Sequence, residues 1–86
     1  MKKFTRVQIL DIVYEALLIN SQSGRKADID VKISNADDGE TMLYVMAYER
    51  GTSDSIGSKY NFTAPHGEEM ADYDAMMQFM DQFKEA

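Results

Sequence analysis

The sequence predicts an α+β fold: one small domain of order α-β-β-β-α, with a three-stranded antiparallel sheet flanked by two helices. Three observations carry this. Residues 6–20 place apolar side chains at helical spacing, residues 27–34 alternate apolar with polar, and residues 67–84 return to a helical stripe. At 86 residues the chain supports only one core, so residues 1–86 are read as one domain.

The first helix opens on Thr5 and Gln8, spaced as a capping box requires, so hydroxyl and amide each satisfy an orphan backbone donor. Phe4 and Ile9 stand where a hydrophobic staple would place them. Leu10, Val13, Tyr14, Leu17 and Leu18 form the expected buried stripe, widened by Ile9, Ile12, Ala16 and Ile19. Only Gln8, Asp11 and Glu15 make a polar strip, so the helix is expected to be mostly buried. Asn20 to Gly24 ends it, with Gly24 expected in a left-handed turn.

In residues 27–34, Ile29, Val31 and Ile33 point one way while Asp28, Asp30 and Lys32 point the other. Asn35 to Glu40 is a hairpin turn in which Gly39 supplies positive φ. Residues 41–49 are apolar on both sides. Leu43, Val45 and Ala47 line one face; Met42, Tyr44, Met46 and Tyr48 line the other. Such a strand belongs in the sheet centre, with something covering each face. A third strand is expected over Lys59–Thr63, broken by Pro65-His66-Gly67. The last helix, residues 67–84, carries Met70, Tyr73, Met76, Met77, Met80 and Phe83 as its stripe, with Glu68, Glu69 and Asp72 complementing the dipole.

Composition excludes several kinds of chemistry. The chain has no cysteine, which removes disulfides, thiolate metal sites and cysteine nucleophiles. Asn35, Asp37, Asp38 and Glu40 surround Gly39, but no register puts Gly sixth and Glu twelfth as a calcium loop demands. His66 is the only histidine and has no nucleophile in its motif. The glycine-bracketed loop from Gly51 to Gly57 lacks the Walker spacing. We therefore expect no cofactor, no metal and no enzymatic activity. The basic start, Met1 to Arg6, is followed by Gln8, Asp11 and Glu15, which do not belong in a signal peptide. No stretch approaches the ~20 apolar residues of a membrane span. A cytoplasmic location is expected, with no membrane partner.

Charge is unevenly spread. The net charge is −6, and residues 60–86 hold six acids against Lys84 alone. That surface repels phosphate backbones, so direct nucleic-acid binding is disfavoured. The same carboxylates could instead occupy a basic groove made for phosphates. Asp37, Asp38 and Glu40 at the hairpin tip, with Glu68, Glu69, Asp72 and Asp74 near the last helix, are the candidate partner-binding residues. In acidity, size and element order the chain resembles phage-encoded anti-CRISPR proteins. The resemblance implies an inhibitor acting in the host cytoplasm as a DNA mimic, blocking a basic nucleic-acid-binding protein. The alternative is a small structural or interaction protein that self-associates, for instance as a homodimer, through its Met/Tyr-rich surface.

Overall fold

A computed structural model describes residues 1–85. Its elements are α1 (Arg6–Asn20), β1 (Ala27–Asn35), β2 (Thr41–Glu49), β3 (Ser55–Tyr60) and α2 (Tyr73–Asp81), the α-β-β-β-α order of an α+β domain. The sheet is antiparallel in the order β1-β2-β3, with β2 central. The α1 and α2 N-terminal ends lie together, where Phe4 and Gln8 share a hollow with Asp72 and Tyr73. Their C-terminal ends also meet, through Gln22 and the backbone of Phe83 and Glu85. The helices thus run side by side in one direction.

Both helices cover the same sheet face. Ile12, Ala16 and Ile19 of α1, Met76 and Met80 of α2, and Phe83 pack on Ala27, Ile29, Leu43, Val45 and Ala47. The other face, with Met42, Tyr44, Met46 and Tyr48, has no helix over it among the described residues. The expectation that β2 is covered on both sides is therefore corrected. One layer of helices on one sheet accounts for a shortest molecular dimension of 18 Å.

The α1 start is built as the sequence predicts. Gln8 N–H donates to Thr5 Oγ1 at 3.1 Å, and Thr5 N–H donates to Gln8 Oε1 at 3.0 Å. Phe4 and Ile9 both pack on the core. The buried stripe differs from expectation: Ile12, Ala16 and Ile19 face inward, while Leu10, Tyr14, Leu17 and Leu18 face solvent. Because α1 is apolar nearly all round, periodicity could not tell its two faces apart. The polar strip resolves them. Asp11 and Glu15 reach sideways to Tyr73 and Lys84 at α2 and beyond its end, which turns the Leu10–Leu17 stripe outward. Nor does Gly24 take a left-handed conformation. Ser21 caps α1 in the right-handed region, and Gly24 N–H donates to Glu85 Oε1 at 2.7 Å.

Two further boundaries shift. β3 begins at Ser55 and stops at Tyr60, because Asn61 leaves the strand to bridge three backbone segments. α2 begins at Tyr73 rather than at residue 67. Asp72 accepts from Ala75 N–H at 2.8 Å as its N-cap, and the segment before it runs extended, bridging Met70 to Tyr60 in parallel. Glu68 and Glu69 accordingly lie outside the helix, and Asp74 is the acid of its first turn.

Candidate functional site

The open sheet face is built by register. Antiparallel pairing aligns Lys32, Tyr44 and Tyr60 in one row and Asp30, Met46 and Ser58 in the next, all on the side away from the helices. Ser34 and Met42 flank them at one end, Asp28 and Tyr48 at the other. The Tyr44 and Tyr60 ring centroids are 5.5 Å apart, and Phe62 meets Tyr60 edge-on at 5.3 Å. Lys32 Nζ lies over the Tyr44 ring at 5.7 Å. Tyr48 Oη donates to Met46 Sδ at 3.3 Å. Between these side chains and the Pro65-His66 turn is a shallow hollow of about 370 Å³, lined by Met42, Tyr44, Met46, Tyr60 and Phe62. The platform is half-buried, aromatic and thioether-rich. Its apolar strip offers contact area, with Asp30, Lys32, Ser34 and Ser58 beside it on the same face.

Carboxylates stand at its border. Asp28 accepts from Arg25 Nε at 2.7 Å and from Gly51 N–H at 3.1 Å, and these two donors hold its carboxyl below the usual aspartate value. Asp30 is exposed beside Met46. Glu68 Oε2 accepts from Ser58 Oγ at 3.1 Å, which fixes it at the β3 edge of the same face.

The seven acids singled out from the sequence fall into two places. Glu68 borders the open face, with the exposed Glu69 beside it in the chain. Asp37, Asp38 and Glu40 occupy the β1–β2 tip, while Asp72 and Asp74 stand at the start of α2. Glu40, Asp72 and Asp74 of this second set are interleaved with the basic N-terminus. Glu40 pairs with Lys3 at 3.1 Å, and Lys2, Lys3, Asp72 and Asp74 line one hollow. Two of these acids also have local structural duties. Asp38 accepts from Glu40 N–H at 3.0 Å, and Asp72 caps α2. This Met/Tyr face is the surface that the self-association alternative names, but Tyr44, Tyr60 and Phe62 are not among the candidate contact residues, although Tyr44, Met46 and Tyr48 at alternate positions of β2, with Tyr60 and Phe62, are their visible signal.

Among the described residues, no three His, Cys, Asp or Glu side chains converge as a metal site, and His66 is exposed at the rim of the hollow. No helix is long and apolar enough to cross a membrane among those residues. Fold and site together define a two-layer α+β domain that presents an open, acid-bordered aromatic sheet face. Compared with protein-family models, curated proteins and solved structures, the chain finds no match.

Proposed function

We propose that the protein is a non-enzymatic inhibitor that binds a basic, nucleic-acid-binding protein and blocks the surface that protein uses for nucleic acid, in the manner of anti-CRISPR proteins. The observation that carries the reading is the uncovered Tyr/Met sheet face bordered by Asp28, Asp30 and Glu68. Arginine and lysine side chains suit such a face. Their aliphatic stems lie on Met42 and Met46, their cationic heads meet the Tyr60 ring, Tyr44 already carrying Lys32, and the border carboxylates accept their hydrogen bonds. The excess negative charge speeds encounter and makes it salt-sensitive. Asp37, Asp38, Glu40, Glu69, Asp72 and Asp74 add to that steering field in this reading rather than forming the contact itself.

The test is competition. The protein is used to capture partners from bacterial lysate, a captured nucleic-acid-binding protein is purified, and displacement of its labelled nucleic acid is measured. Displacement that weakens with salt is expected, at least tenfold weaker for Tyr44→Ser/Tyr60→Ser and for Asp30→Lys/Glu68→Lys. A captured protein that keeps its nucleic acid, or variants that compete as well as the parent, would sink the proposal. The rival reading, self-association through this same Met/Tyr face, requires association that salt strengthens or hardly alters and that is lost in the tyrosine variant.

A further inference from the structure

Val7, Leu10, Tyr14 and Leu17 follow one another at intervals of three, four and three along the outermost side of α1, the spacing of a coiled-coil seam. They do not serve the core. Val7 is 67% exposed, Leu10 67%, Tyr14 64% and Leu17 63%, with Leu18 beside them at 41%. The core takes the opposite side of the helix through Ile12, Ala16 and Ile19. No acid interrupts the seam, because Asp11 and Glu15 are turned sideways and engaged by Tyr73 and Lys84.

We infer that α1 is the interface of a homodimer, two copies packing this seam against itself about a two-fold axis near Tyr14. Two features of the structure name a second copy as the occupant. The first is area. Five of the nine exposed large apolar side chains among the described residues lie on this one helix face, the core of the ~800 Å² that each partner contributes to a standard interface. Arg6 and Ser21, exposed at the seam's two ends, lie where the remainder would come from. The second is charge. α1 has no basic residue in its last turn and carries Arg6 in its first, so its own charges do not offset the negative end of its dipole. An antiparallel partner brings Arg6 of one copy beside the last-turn carbonyls of the other, a basic residue where α1 has none of its own. The pairing is isologous and closes on itself, so it yields dimers rather than filaments. It also leaves the open sheet face, on the far side of the molecule from the helices, clear in both copies.

Sedimentation equilibrium of the full chain tests this across micromolar to millimolar concentration. The parent should weigh twice the chain mass at the upper end, and Leu10→Lys/Leu17→Lys should weigh one chain mass throughout. These side chains are exposed, so the variant should keep its far-UV circular dichroism. Because the chain has no cysteine, Tyr14→Cys gives a second readout. Mild oxidation should join two copies covalently, whereas Gln78→Cys, exposed on α2, should remain single. A parent that stays monomeric overturns the inference. So does a dimer that survives the double lysine variant, or one that is lost in Tyr44→Ser/Tyr60→Ser instead.

Discussion

Two asparagines do work that their neighbours in the sequence conceal. Asn61 is 2% exposed and ties three segments together. Its Oδ1 accepts from Leu43 N–H at 2.8 Å, while its Nδ2 donates to the carbonyls of Lys2 and Thr41, each at 3.0 Å. Asn20 does the same between α1 and β1, donating to Ile29 O and accepting from Ile29 N–H, both at 2.8 Å. Alternation between Tyr60 and Phe62 reads Asn61 as a solvent-facing strand residue, and nothing local announces that its partners lie about 20 and 60 residues away. Asn61→Ala should therefore cost about 2–4 kcal/mol, because buried backbone donors and acceptors lose their partner. Urea unfolding checks this, and a negligible shift in midpoint would contradict it. Lys84 and Tyr73 each favour the folded chain until high pH. Ion pairs with Glu15 at 2.5 Å and Asp81 at 2.9 Å push the Lys84 ammonium above its usual value. Tyr73 Oη, donating to Asp11 at 2.9 Å, is likewise pushed up. The folded chain holds both protons more tightly than the unfolded one. Their stabilisation is complete below about pH 10 and is lost as pH rises through the higher folded values. Lys84→Met and Tyr73→Phe should each flatten the fall in urea midpoint above that pH. An unchanged alkaline slope in both would refute the assignment.

At the scale of the element, packing overrides pattern in two places. The stripe of α2 was legible in part: Met76 and Met80 are buried as their spacing implies and Phe83 is buried just past the helix, while Met70 lies before it and is exposed. Its start was not, because Glu68 to Ala71 carry no helix breaker, and only the Met70–Tyr60 bridge and the Ala71 N–H to Tyr60 O bond at 2.6 Å keep them extended. β3 passes beneath α2 at Gly57, where an added Cβ would lie 3.2 Å from Phe79 Cε1. Pairing of Gly57 with Ala47 and of Ser55 with Tyr48 carries the strand back past the glycine, which lets it run close under the ring. Gly57→Val should destabilise by about 1–3 kcal/mol through overpacking against the ring. Combining it with Phe79→Ala should cost less than the two single changes added together, since the ring that clashes is gone. Strict additivity in the double-mutant cycle would show that the contact does not constrain the strand.

Taken whole, the molecule is a sheet with one dressed face and one bare one. β2 was legible as the central strand from its two apolar sides, but sequence alone could not say that a single helical layer serves both α1 and α2. That outcome follows from chain economy. Each helix is a single stripe of core residues wide, and the two lie abreast on a three-stranded sheet, leaving nothing to cross to the other side. The candidate acids were legible as charges but not as a surface, because Lys2 and Lys3 fold back among Glu40, Asp72 and Asp74 from the far end of the sequence. The same substitution on the two sides of the molecule separates stability from binding. Met76 is wholly enclosed beneath the helices, so Met76→Ala should cost about 2–5 kcal/mol through the cavity it leaves. Met42 lies half-exposed in the bare hollow, where water fills the space a truncation opens, so Met42→Ala should cost under ~1 kcal/mol. In the competition assay the order should reverse at a temperature where both variants are folded. Met42→Ala should weaken displacement severalfold while Met76→Ala leaves it near the parent value. If Met42→Ala instead unfolds the chain as readily as Met76→Ala, the bare face is part of the core and cannot be the surface that meets a partner.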